Sequence, residues 1–181
     1  MDRIYLTWLQ TDSLLNRAEA WPARLFPDAS YRFFRDAGCL VCSLAVMLRR
    51  CGLERADGPF DPWILNQRLI DCGAFTPAAD LELARIGRLY PLEYLGALPY
   101  SGDALTRAAA SGFPCLVAVP GEKAALHFTA PLELLPDDAV VFDPIFGEKR
   151  LGAYERVCEL RVFRPAAGVL PGGSAREARQ A

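Results

Sequence analysis

The sequence predicts an α+β fold, with helices in its first half and an antiparallel sheet in its second. Two observations carry that expectation. Between Gly38 and Gly112 the apolar residues fall largely in segments bounded by helix caps and helix stops. From Pro114 onward they fall in short blocks rich in Val, Phe and Leu, separated by turn residues. A third observation sets the scale: 181 residues, 52% of them hydrophobic, suffice for one domain with a substantial core. That domain is expected over residues 1–165, with a flexible tail over 166–181 built around Pro171-Gly172-Gly173-Ser174.

Each element has its own justification. The stretch before Cys39 is irregular and aromatic, holding Trp8, Trp21, Phe26, Tyr31, Phe33 and Phe34. Gly38 then precedes a helix over Cys39 to Cys51. Leu40, Val41, Leu44, Ala45, Val46 and Leu48 make it too apolar for a surface position, and Gly52 stops it. A second helix is punctuated at both ends, by Asp61 as cap, Pro62 at the first helical position, and Gly73 after Cys72. Shorter helices are expected from Ala79 to about Ile86 and from Asp103 to Ser111, the latter ended by Gly112. Strands follow at Pro114–Val119, around His127, at Ala139–Asp143 and at Val157–Phe163, with Pro136-Asp137-Asp138 turning the chain between the middle pair.

Composition excludes several classes of function. A net charge of −2 with scattered basic residues offers no surface for nucleic acid. No apolar run approaches the roughly 18 residues that span a bilayer, and the first residues lack the basic start and apolar stretch of a signal peptide. The expectation is a cytoplasmic protein, or one released by another route. The six cysteines, Cys39, Cys42, Cys51, Cys72, Cys115 and Cys158, sit mostly among apolar neighbours and are expected reduced.

The residues that carry chemistry are few. His127 is the one histidine in the chain, so a reaction needing an imidazole has a single choice. Cys39 lies at a helix N-terminus, where unpaired backbone N–H groups and the helix dipole favour a thiolate. Asp143 ends the strand after the histidine strand and, as an acceptor for the second imidazole nitrogen, would fix its tautomer. The pairing depends on register. A loop of three or five residues ending at Asp138 puts both side chains on one face of the sheet. The longer loop leaves them two positions out of register, about 7 Å apart on the diagonal, whereas the shorter leaves them four positions apart and out of reach.

Taken in order, these segments resemble papain-like cysteine peptidases of the bacteriocin-processing, double-glycine-leader type and their stand-alone relatives. The resemblance rests on Gly38-Cys39-Leu40-Val41-Cys42-Ser43-Leu44-Ala45-Val46-Met47-Leu48 and on Gly112-Phe113-Pro114-Cys115-Leu116-Val117. It continues through His127-Phe128-Thr129 and Asp143-Pro144, with Leu9-Gln10-Thr11-Asp12 and Asp61-Pro62 as lesser matches. It spans roughly residues 5 to 160. It implies a papain-like domain in which a nucleophile helix packs on a C-terminal antiparallel sheet. It further implies a peptide or protein substrate, no cofactor and no metal, with Cys39 as nucleophile, His127 as base and acid, and Asp143 as orienter. The family commonly has a glutamine shortly before the cysteine to complete the oxyanion hole, and Phe33-Phe34-Arg35-Asp36-Ala37-Gly38 contains none. Either Gln10 folds back into that role or the hole relies on the Cys39 backbone N–H. Loss of one oxyanion donor costs about 10²–10³ in turnover.

Other readings compete. The same fold without a competent site would be a peptide-binding module. Cys39-Leu40-Val41-Cys42 is also a C-x-x-C at a helix start, as in thiol–disulfide oxidoreductases, though no βαβ pattern leads into it. A structural zinc site would need a second ligand pair that the sequence lacks. The walls of a substrate cleft are expected from Tyr90–Tyr100 and from the stretch before Cys39.

Overall fold

The computed structural model describes Trp8 and residues 38–53, 60–76, 80–122 and 125–167. Gln10, the remaining aromatic residues before Cys39 and the tail beyond residue 167 lie outside the described residues. Within them the order is helix α1 (Cys39–Arg50), helix α2 (Pro62–Asp71), a 3₁₀ helix (Leu83–Arg88), strand β1 (Leu92–Pro99) and helix α3 (Gly102–Ala110). Strands β2 (Cys115–Pro120), β3 (Leu126–Leu134), β4 (Ala139–Asp143) and β5 (Gly147–Arg150), a 3₁₀ turn (Leu151–Ala153) and strand β6 (Glu159–Pro165) complete it. The chain is thus α+β. One sheet runs in the order β1-β6-β2-β3-β4-β5 with every neighbouring pair antiparallel.

Helix ends follow local chemistry. The Asp61 side chain accepts the Ile64 N–H at 2.8 Å ahead of Pro62, and Ser101 accepts the Ala104 N–H at 3.0 Å. Gly52 and Gly73 end α1 and α2 at φ 66° and 67°, a left-handed conformation that a Cβ would penalise. In α1 every residue from Val41 to Leu48 is buried, because the helix lies between α2 and the sheet. Ser43 donates to the Phe128 carbonyl at 2.8 Å, and Arg50 donates to that of Leu132. Both acceptors are on β3, so α1 runs alongside that strand.

The sheet separates two apolar clusters. Leu116, Ala130, Phe142 and Phe163 join α1, α2 and Trp8 in the larger; Cys115, Val117, Val119, Val141 and Leu160 join Leu105 of α3 in the smaller. Alternate residues of β2 go to opposite clusters, as the two-residue period of a strand requires. Trp8 packs edge-on against Phe60, just ahead of α2, with ring centroids 5.9 Å apart.

Several expectations need correction. The helix expected from Ala79 is a 3₁₀ helix that starts only at Leu83. Before it the backbone pairs with itself instead, through a Phe75–Leu81 bridge and the Glu82 N–H donating to Ala74 at 2.8 Å. Strands β1 and β5 were not expected. β1 is an edge strand with a bulge between Tyr94 and Gly96 and mostly exposed side chains, so it shows no apolar alternation. Its position also corrects the expected cleft wall, because β6 and β2 stand between Tyr90–Tyr100 and the histidine strand. Ala166, placed in the tail by the sequence, donates its N–H to the Pro91 carbonyl at 2.9 Å.

Candidate active site

Register decides whether His127 and Asp143 meet. At the turn end of the β3–β4 hairpin Leu134 opposes Ala139, leaving residues 135–138 as the connection. A bulge between Pro131 and Glu133 then shifts the pairing so that Ala130 opposes Phe142. The four-residue connection and the bulged residue together reproduce the register of a five-residue loop. Extended by one residue, it sets Asp143 opposite Thr129, on the same face as His127 and two positions away.

The diagonal is closed by a hydrogen bond. His127 Nε2 lies 3.1 Å from Asp143 Oδ1, with the His127 side chain 11% exposed and that of Asp143 fully buried. A carboxylate can only accept, so Nε2 carries the proton. Nδ1 is therefore the nitrogen left for Cys39, whose thiol is near enough to the imidazole to help raise its pKa. The direction of α1 brings the thiol there: Cys39 lies one turn before Ser43, and Ser43 is fastened to the residue after His127.

Burial opposes a charge on His127, but hydrogen bonds from its ring to Asp143 and Cys39, with the charge of both partners, outweigh it and raise its pKa from 6.5 to about 9. Asp143 shows the complementary balance. Burial raises its pKa, yet hydrogen bonds from His127, Tyr154 and the Ile145 backbone, with the imidazolium charge, leave it below the ordinary carboxylate value. Its Oδ1 accepts the N–H groups of Ile145 at 2.7 Å and Phe146 at 3.2 Å, and its Oδ2 accepts the Tyr154 hydroxyl.

Tyr154 was not singled out from the sequence. It follows β5 through the 3₁₀ turn Leu151–Ala153, which Asp138 anchors by accepting the Gly152 N–H at 2.9 Å. No local pattern marks it, since its partner is eleven residues away and that separation has meaning only once the β4–β5 hairpin is folded. Lys149 stands with its ammonium 4.0 Å from the Tyr154 ring centroid and 4.9 Å from that of Phe146, whose side chain is the most exposed large apolar one described.

At the start of α1 the cap residue is Gly38, which has no side chain to offer the first-turn N–H groups. The Cys39 N–H is therefore available in principle to an oxyanion. Gln10, the other candidate donor, lies outside the described residues. Cys42, one turn along, is fully buried, and burial first, then the nearby Cys39 and Asp61, raise its pKa well above the ordinary thiol value. Burial also raises Cys51 to about 11 and Cys115 to about 12. Among the described residues no three His, Cys, Asp or Glu side chains converge to hold a metal ion, and no helix is long and apolar enough to cross a membrane. No family model, curated protein or solved structure matches the chain.

Proposed function

We propose that this protein is a papain-like cysteine hydrolase that cleaves a peptide or other amide bond through a thioester on Cys39. The observation that carries the reading is one imidazole set between a buried carboxylate and a thiol, with Nε2 held 3.1 Å from Asp143 Oδ1 and the Cys39 thiol near enough to help raise the imidazole pKa. In the first step Cys39 passes its thiol proton to His127 Nδ1 as Sγ attacks the carbonyl carbon, and the Cys39 N–H at the start of α1 receives the developing oxyanion. His127 gives its Nδ1 proton to the leaving nitrogen as the C–N bond breaks. In the second step a water loses a proton to Nδ1 and attacks the thioester, releasing the acid and restoring the thiol–imidazole pair. Asp143 keeps the ring in the tautomer and orientation that both steps need.

The 8% exposure of Cys39 favours a second reading, a peptide-binding module of the same fold whose thiol is never acylated. Incubation with a small thioester or activated amide, read by intact-protein mass spectrometry, separates the two. The hydrolase reading expects one acyl group, placed on Cys39 by peptide mapping, absent from Cys39→Ala and much slower to form in His127→Ala. If Cys39 stays unmodified while another cysteine is acylated, the hydrolase reading fails.

A further inference from the structure

Asp143 has a distribution of hydrogen bonds that the triad alone does not explain. Its Oδ1 serves three donors, His127 Nε2 at 3.1 Å and the N–H groups of Ile145 at 2.7 Å and Phe146 at 3.2 Å. Its Oδ2 serves one, the Tyr154 hydroxyl, in a side chain with no exposed surface. We propose that Tyr154 is a positioning residue for this site, holding Oδ2 so that the carboxylate cannot turn Oδ1 away from His127. The inference rests on the Cys39–His127–Asp143 reading and adds a fourth member to it.

The physical argument is one of alternatives. Without the hydroxyl, a fully buried carboxylate oxygen has no donor, which is costly in a low-dielectric setting. The nearest relief is rotation about the terminal side-chain torsion, a soft one, so that the two oxygens share the Ile145 and Phe146 N–H groups. Such a rotation takes Oδ1 off the line to Nε2. Tyr154 prevents it because its own place is fixed on two sides. Asp138 anchors the turn that delivers it, and the contact is close: a Cβ on Gly152 would lie 3.3 Å from Asp138 Oδ2. On the other side the Lys149 ammonium lies 4.0 Å from the ring centroid, a cation–π contact that does not depend on the hydroxyl. Tyr154→Phe therefore keeps the ring, its packing and its lysine, and removes only the donor.

Because His127 is the single histidine, histidine-selective labelling gives an NMR titration with one imidazole. The wild type is expected to titrate near 9, and Asp143→Asn should bring the midpoint back toward the unperturbed value of about 6.5. Tyr154→Phe should lower it part of the way, by about one pH unit, a tenfold loss of proton affinity. A Tyr154→Phe midpoint equal to the wild type, or above it, overturns the proposal: at fixed geometry, losing the hydroxyl concentrates charge on the carboxylate and raises the imidazole. A wild-type midpoint near 6.5 overturns the underlying Cys–His–Asp reading and this inference with it. Should Tyr154→Phe fail to fold, wild-type protein with ring-labelled tyrosine replaces it. The Tyr154 resonance is then expected to move at the His127 midpoint, and a resonance unmoved there rules out the coupling.

Discussion

Helices α1 and α2 begin in opposite ways. α2 starts on Asp61, whose carboxylate accepts an N–H three residues on, followed by Pro62 with no N–H to satisfy. Its start is complete within a few residues of sequence. α1 starts on Gly38, with no side chain to cap it, and is held from outside by Ser43 and Arg50 bonding to carbonyls of β3. The difference teaches where chemistry can be placed. A capped start has spent its N–H groups on its own side chain, whereas a start on glycine carries no side chain to take the N–H groups beside its thiol.

The comparison can be broken at several points. The largest effect is expected from His127→Ala, which removes the proposed acid and base beside the α1 start and should slow acylation of Cys39 by about 10²–10⁴-fold. Stopped-flow acylation measures it, and a rate within a factor of two of wild type would leave the uncapped start without its chemical role.

Next is the pH dependence of stability. A histidine raised in the folded state from 6.5 to about 9 contributes stability that is full below about 6.5 and lost as pH rises through 9. Urea unfolding of wild type minus His127→Ala should therefore decline by about 3 kcal/mol between these limits. The lowered pKa of Asp143 works at the other end, its contribution being lost as the pH falls below the carboxylate range. A difference flat from pH 6 to 10 would remove the imidazolium from the folded state.

Smaller effects distinguish the two helix starts directly. Ser43→Ala takes away the tether of α1 and leaves the Phe128 carbonyl without that donor, a loss of about 1–2 kcal/mol. It should also slow Cys39 acylation, since the tether sets the level of the thiol along β3. Asp61→Ala removes only a cap, at about 1 kcal/mol, read as a lower urea midpoint. If Ser43→Ala lost stability with no change in acylation, α1 would be positioned by its burial alone.

Much of the frame was legible in the sequence because its signals are local. Asp61-Pro62, Gly52, Gly73 and Gly112 bound helices where expected, and the apolar blocks at Cys115–Pro120 and Ala139–Asp143 are strands. The edge strand β1 and the four-residue β5 escaped, since β1 turns only Leu92 and Tyr94 to the core before its bulge and β5 is too short and polar to leave an apolar alternation. The 3₁₀ helix at Leu83–Arg88 was misplaced because the chain before it finds backbone partners that no side-chain pattern announces.

The sequence by itself determined which groups were available: one imidazole, a thiol opening a buried helix, and a carboxylate closing the strand after the histidine. Parity restricted His127 and Asp143 to one face only for certain loop lengths, because a strand's period is two. Tertiary structure alone decided that a four-residue connection plus a bulge delivers the register, and that Tyr154, beyond a hairpin and a turn, reaches the free oxygen of Asp143. Those choices depend on how backbone bonds and apolar faces compete across the whole sheet, and no window of sequence contains that competition.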